Sequence, residues 1–149
     1  MKKTIFAILS AILISTGVAK ANEDRPITVS QLPATAQQFI QKYYKQEKVA
    51  FAKSERELFE VKYEVLFTNS TKVQFDRNGE WTEVDGEHVS IPTDLIPAPI
   101  MNYIKTNFTD YKIVKIERDK RKYEVELLQA NNFDISLEFD KQFNLIDID

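Results

Sequence analysis

The chain has 149 residues, a net charge of −3, 43% hydrophobic residues and no cysteine. That length suits one modest domain, and an acidic balance without clustered Lys and Arg speaks against nucleic acid, whose phosphates reward such clusters. With no Cys and one His, a disulfide framework, transition-metal ligation and a bound cofactor are not expected.

In chain order, the first segment reads as an export signal over residues 1–21. Lys2 and Lys3 precede the apolar run "TIFAILSAILISTGV", and Ala19-Lys20-Ala21 gives the small-x-small pattern that signal peptidase reads. The run is short for a membrane span, and no later segment resembles one. Cleavage after Ala21 leaves 128 residues. Losing Lys2, Lys3 and Lys20 from 20 basic and 23 acidic residues takes the net charge from −3 to −6. The expected location is the periplasm or the medium.

Pro33 opens a predicted helix, its missing N–H costing nothing in a first turn. Ala36, Phe39, Ile40, Tyr43 and Tyr44 then recur at 3–4 spacing, one apolar stripe. Beyond it the period changes to two. A short strand is expected around Val49 to Lys53. In "FEVKYEVLF" the residues Phe59, Val61, Tyr63, Val65 and Phe67 point one way, and Glu60, Lys62 and Glu64 the other. "TKVQF" continues with Val73 and Phe75 inward and Lys72 and Gln74 outward. Asn78-Gly79 marks a hairpin turn, and a last strand runs from about Trp81 to Val84. "GEHVSIPTDL", Gly86 to Leu95, reads as a linker.

The second half repeats the first under a shift of 64 residues. Leu32-Pro33-Ala34 falls on Ile96-Pro97-Ala98, Phe39-Ile40 on Tyr103-Ile104, Phe59-Glu60-Val61 on Tyr123-Glu124-Val125, and Phe75-Asp76 on Phe139-Asp140. The apolar register continues without insertion, which points to duplication. Thr93-Asp94 would cap the second helix, whose stripe is Ile96, Ile100, Tyr103, Ile104 and Phe108. Strands follow at Ile113 to Glu117, in "YEVEL" with Glu124 and Glu126 outward, in "ISLEF" with Ser136 and Glu138 outward, and at Leu145 to Ile148. Gln142-Phe143 replaces Asn78-Gly79, so the second turn is expected to be looser or differently wound. The units are read as residues 22–86 and 87–149, sharing one core. The fold class is α+β: two tandem helix-plus-antiparallel-strand repeats forming one sheet, with both helices on one face.

A secreted chain with Leu-Pro leading a short helix, then "F/YEV", then a strand ending in Phe-Asp before a turn, all given twice, resembles the PepSY-like proteins of the Bacteroidetes cell envelope. That group is also described as similar to the β-lactamase inhibitor protein. The resemblance covers Ser30 to Asp149. It implies helices packed on one side of an antiparallel sheet, and binding or inhibition of a protein partner through the other. The inhibitor is disulfide-bridged and this chain has no Cys, so its specific activity is not carried over.

Catalytic groups are sparse. His88 lies in the linker without an evident nucleophile or oxyanion hole, and reads as a solvated side chain. "DRNGE", Asp76 to Glu80, resembles the start of a calcium loop but lacks the distal bidentate Glu, so a turn in which Asp76 satisfies backbone N–H groups is the better reading. Outward carboxylates on a flat, wet sheet offer no cleft to separate their pKa values. The expectation is a non-enzyme, monomeric, that engages an unidentified cell-envelope protein or peptide. Its candidate surface comprises Lys62, Lys72, Gln74, Trp81, Glu124, Glu126 and Glu138. Trp81 joins it only if the Asn78-Gly79 turn is a two-residue loop; a longer loop pairs Trp81 with Phe75 and turns it to the core. The alternative is a carrier or sensor of a small apolar or peptide ligand in a cleft between helices and sheet. A hydrolase using His88 ranks third.

Overall fold

The computed structural model of the protein describes residues 23–149, so the expected export signal lies outside the described residues. The strands are β1 (Arg25–Pro26), β2 (Val49–Glu57), β3 (Glu60–Phe67), β4 (Lys72–Phe75), β5 (Trp81–Asp85), β6 (Tyr111–Arg118), β7 (Lys122–Gln129), β8 (Asp134–Asp140) and β9 (Leu145–Ile148). Helix α1 (Ala34–Tyr43) precedes β2, and α2 (Ala98–Asn107) precedes β6. The strands form one nine-stranded sheet in chain order, every neighbouring pair antiparallel. The architecture is therefore α+β. The linker after β5 crosses to α2 and back, and β6 then pairs directly with β5 through Glu83↔Glu117, Val84↔Ile116 and Asp85↔Lys115.

Each helix lies where its apolar stripe can be buried. Ala36, Phe39 and Ile40 are buried on α1, and Ile100 and Ile104 on α2. Both stripes join one core cluster with the inward residues of the sheet. The Phe39 ring meets Phe75 edge-on at 5.5 Å, and Tyr103 meets Phe139 edge-on at 5.5 Å, the offset geometry aromatic quadrupoles prefer. Beneath them runs one cross-strand row from β2 to β9: Ala52, Val65, Val73, Val84, Ile116, Val125, Leu137 and Ile148. All but the edge residue Ile148 are buried. Medium aliphatic side chains at successive strands let a sheet bury one face at close-packed density.

Several local expectations change. Thr93-Asp94 does not cap α2; Thr93–Leu95 forms a separate 3₁₀ turn and Pro97 takes the cap position. The linker, read as too short and apolar for a free tether, is itself packed: Ile91 and Leu95 are buried, and the Ile91 N–H donates to the Ile113 carbonyl at 3.0 Å.

The two Phe-Asp turns share one geometry. Asp76 Oδ1 accepts the N–H groups of Asn78 (2.8 Å) and Glu80 (3.1 Å), while Asp140 Oδ1 accepts those of Gln142 and Asn144 (both 2.9 Å). Gly79 has φ 83° and Phe143 φ 67°. The expected difference between the turns is not found. Phe143 accepts a left-handed conformation that costs a bulky residue roughly 1–2 kcal/mol. Its ring packs 5.7 Å from that of Tyr123, and Asn144 Nδ2 adds a 3.0 Å bond to Asp140 Oδ2.

The gapless match also fails at β3. Tyr63 faces Phe75, and Tyr123 faces Phe139. Tyr63, not Phe59, therefore stands where Tyr123 stands, and the aligned tetrapeptides are Lys62-Tyr63-Glu64-Val65 and Lys122-Tyr123-Glu124-Val125. Phe59 does not point to the core; it sits at the β2–β3 turn, 93% exposed, beside Leu58 at 79%. The β2–β3 ladder runs on through Glu55↔Lys62, Arg56↔Val61 and Glu57↔Glu60, whereas β6–β7 ends at Arg118↔Tyr123. Three extra pairs extend this hairpin by about 10 Å at the usual rise per strand residue.

Candidate binding surface

Strand alternation sends one side chain in two away from the helices. Next to the buried aliphatic row, the outward row reads Lys53, Glu64, Gln74, Glu83, Glu117, Glu124, Glu138 and Asp147 across β2 to β9. The following outward row carries Lys72, Asp85, Lys115, Glu126 and Ser136. Lys72, Gln74, Glu124, Glu126 and Glu138 are thus brought together as expected, and Lys62 lies on the same face one pair beyond Glu64.

Like carboxylates directly opposite one another repel, and lysines from neighbouring positions offset that repulsion. The Glu83 carboxylate lies between Lys72 Nζ at 3.0 Å and Lys115 Nζ at 3.7 Å. Lys53 bonds Glu55, reaches Asp24 at 3.1 Å and faces Glu64 at 3.9 Å. Lys122 bonds Glu138 and lies 3.7 Å from Glu124. The Glu55 hydrogen bond holds the Lys53 ammonium charged well beyond its ordinary range, and the Glu138 bond does the same for Lys122. Glu117 and Glu126 are less well served. Burial pushes both carboxyls up, with Glu83 adding to the rise at Glu117 and Asp85 at Glu126.

Trp81 is not part of this face. It pairs with Phe75, Thr82 being the extra residue of a bulge, and packs against the core with its ring 6.4 Å from that of Phe39. The looped turn fixed this, because one additional residue reverses the side to which Trp81 points. Arg118 covers the exposed side of the indole, 3.8 Å from the ring centroid. Lys53, Glu83, Lys115 and Glu117 belong to the face and were missing from the expected set. For Glu83, Lys115 and Glu117 the signal was the charged–apolar alternation in "EVD" and "KIE", which continues the pattern of the neighbouring strands.

His88 is exposed, and its backbone carbonyl accepts a hydrogen bond from Lys112. Among the described residues, no group of three or more His, Asp or Glu side chains is placed to hold a metal ion. A cleft of about 680 Å³ is present, but at the turn end of the sheet, by the β2–β3, β4–β5 and β6–β7 connections, and not between helices and sheet.

An open antiparallel sheet backed by two helices on one face, with a charged ladder on the other, defines the class: a single-sheet α+β protein with one uncovered face. Residues 61–147 match the family model described as "Putative beta-lactamase-inhibitor-like, PepSY-like", and the chain belongs to that PepSY-like family. A solved protein from Bacteroides thetaiotaomicron, described as a "putative calcium-regulated periplasmic protein", is 52% identical, with TM-score 0.79 over 85% of this chain and 96% of its own. A "putative periplasmic protein from DUF2874 family" of Bacteroides vulgatus is 47% identical, with TM-score 0.80 over 87% and 98%. A second Bacteroides vulgatus periplasmic protein, of unknown function, is 33% identical, with TM-score 0.77 over 85% and 99%. A comparison with curated proteins finds no match. Relatives this similar are described as periplasmic, and the protein is assigned to the periplasm or the medium. Among the described residues, no helix is long and apolar enough to cross a membrane.

Proposed function

We propose that the protein is a non-catalytic envelope binding module that engages a protein partner, as inhibitor or regulator, across the uncovered face of its sheet. The observation that carries this reading is the carboxylate row Glu64, Glu83, Glu117, Glu124, Glu138 and Asp147, set on a rigid ladder and only partly offset by its own lysines. A partner surface bearing Lys and Arg would complete the pairing and relieve the raised carboxyls. Such complementarity chiefly sets association rate and partner choice. Two tandem units, 22–86 and 87–149, account for the layout; the equal Phe39–Phe75 and Tyr103–Phe139 contacts support that duplication.

The test is capture from cell-envelope extract by two baits: the protein, and a variant with Lys72, Glu124 and Glu126 reversed in charge. His88→Ala serves as control. A partner held by the protein and by the control but lost by the reversed bait supports the reading. The same partner on all three baits moves the interface off this face. No partner on any bait removes the reading.

A further inference from the structure

The uncovered face is polarised from one half of the sheet to the other. Over β5 to β9 one outward row is wholly carboxylate, from Glu83 to Asp147, and the next adds Asp85 and Glu126 with Lys115 between them. Lys115 and Lys72 are taken up by Glu83, and Lys122 by Glu138 and Glu124. Glu117 and Glu126 have neither a hydrogen bond nor an ion pair among the described residues. Over β2 to β4 the same rows hold Lys53 and Lys72 against Glu64 alone, so the acidity belongs to the second half of the face.

The first half carries an apolar spot instead. Phe51 on β2 stands directly opposite Leu66 on β3, and the two continue the row of Lys72, Asp85, Lys115 and Glu126. Ala52, Val65 and Phe67 beside them are buried in the core. Alternation therefore turns Phe51 and Leu66 to the uncovered face, where they are 43% and 37% exposed. Contact with each other recovers only part of the burial that each side chain would gain beneath a partner.

We propose that Phe51 and Leu66 anchor the protein partner, and that the partner segment presents an apolar side chain to this pair and Lys or Arg side chains to β5 to β9. This rests on the protein-binding reading above and names the chemistry of the partner. Leu66 and Asp85 are two strand spacings apart, so about 10 Å separates the anchor from the first cation. Four further spacings, about 19 Å, carry the cations to β9. Burial at the anchor sets how long the partner stays, and the acidic half sets how fast it arrives. A segment laid the other way round would put its cations beside Lys53 and Lys72, so the polarity also fixes orientation.

The probe is a dye-labelled peptide, Leu-Phe-Gly-Ser-Gly-Lys-Gly-Lys-Gly-Lys, followed by fluorescence anisotropy beside two controls. One control has Ser-Ser in place of Leu-Phe, and the other has Glu in place of each Lys. The first peptide should bind about tenfold or more tighter than either. Phe51→Thr with Leu66→Thr, which keeps strand propensity, should erase the advantage over the Ser-Ser control while Tm stays close to that of the parent. Should that pair unfold, Leu66→Thr alone carries the same test. Glu117→Gln with Glu126→Gln should cut the advantage over the Glu control several-fold. Equal binding of the three peptides, no binding up to millimolar concentration, or either advantage surviving its substituted pair overturns the proposal. The Thr pair also serves as a further bait in the capture experiment. A partner that it holds and the charge-reversed bait loses overturns the anchor and leaves the protein-binding reading standing, whereas no partner on any bait is the failure of that reading itself.

Discussion

Arg118 holds Trp81 in two ways: its guanidinium lies 3.8 Å from the indole centroid, and its Nε donates to the Trp81 carbonyl oxygen at 2.8 Å. These residues belong to β6 and β5, the strands at which the first and second halves of the sheet meet. One side chain therefore closes the sheet junction and covers the aromatic edge of the core. Burial draws the guanidinium pKa below its usual value, with Glu80 opposing, but an arginine stays charged throughout the working range.

Replacing Arg118 by Lys should not be conservative. An ammonium cannot stack flat on the indole while donating sideways to a carbonyl. Arg118→Lys and Arg118→Ala should each lower stability by about 1–2 kcal/mol, the combined scale of a partly desolvated cation–π contact and a charge-assisted hydrogen bond. Urea unfolding followed by Trp81 fluorescence measures this. A Lys variant as stable as the parent would show that the stacking contributes nothing.

Gly79 should tolerate substitution poorly. A Cβ there would stand 2.8 Å from Pro33 Cβ and 2.9 Å from the Ala36 nitrogen, at a backbone φ of 83°. Gly79→Ala should cost about 2 kcal/mol or more, through strain and the displaced start of α1. Phe143→Gly, which relaxes φ but loses the Tyr123 contact, should change stability by less than about 1 kcal/mol. Thermal unfolding by circular dichroism compares the two, and equal losses would contradict the assignment.

Tyr44 is a buried residue whose hydroxyl has no hydrogen-bond partner among the described residues. Burial, with the Glu47 carboxylate adding to it, raises the phenol pKa beyond the accessible range. Removing an unsatisfied buried hydroxyl while keeping the ring stacked on Phe67 at 4.8 Å should be neutral or stabilising. Tyr44→Phe is therefore expected to keep or raise Tm. A clear fall would reveal a partner for that hydroxyl, an ordered water being the simplest.

Glu117 ties stability to pH. Its folded pKa is raised above the ordinary 4.5 by burial and then by Glu83. In that window the native state binds more protons than the unfolded chain, so this group's contribution falls as pH rises from 4.5 through the folded pKa. Glu117→Gln should be slightly more stable than the parent at pH 7, by well under about 1 kcal/mol because the side chain is only partly withdrawn from solvent. The gain should vanish below pH 4.5. Asp119 acts in the opposite sense: the turn N–H groups of Arg121 and Lys122 lower its pKa, so its contribution is lost as pH falls through that lowered value. Denaturant titrations of parent and Glu117→Gln at pH 4 and pH 7 separate these effects; a gain that persists at pH 4 would deny the electrostatic origin.

The sequence by itself determined the element types and which residues share a face. Apolar positions at 3–4 spacing bury one stripe of a helix, and alternation at two buries one face of a strand, so Phe39, Ile40, Val73, Phe75, Leu137 and Phe139 could be assigned to the core from pattern alone. Five of the seven expected surface residues lie together on the uncovered face for the same reason, with Lys62 beside them. What only the tertiary structure decided was register. "FEVKYEVLF" offers two matches to Tyr123-Glu124-Val125, one at Phe59 and one at Tyr63, and they differ by four residues. A slip of four is two full alternation periods, so it moves no side chain to the other face, and the hydrophobic pattern cannot tell the matches apart. The pairing of Tyr63 with Phe75 tells them apart, as the single bulge residue at Thr82 decides the side of Trp81. Both choices also set the overhang of the β2–β3 hairpin and the cleft at the turn end of the sheet, because a cleft depends on where strands stop relative to one another, and cross-strand contacts fix that.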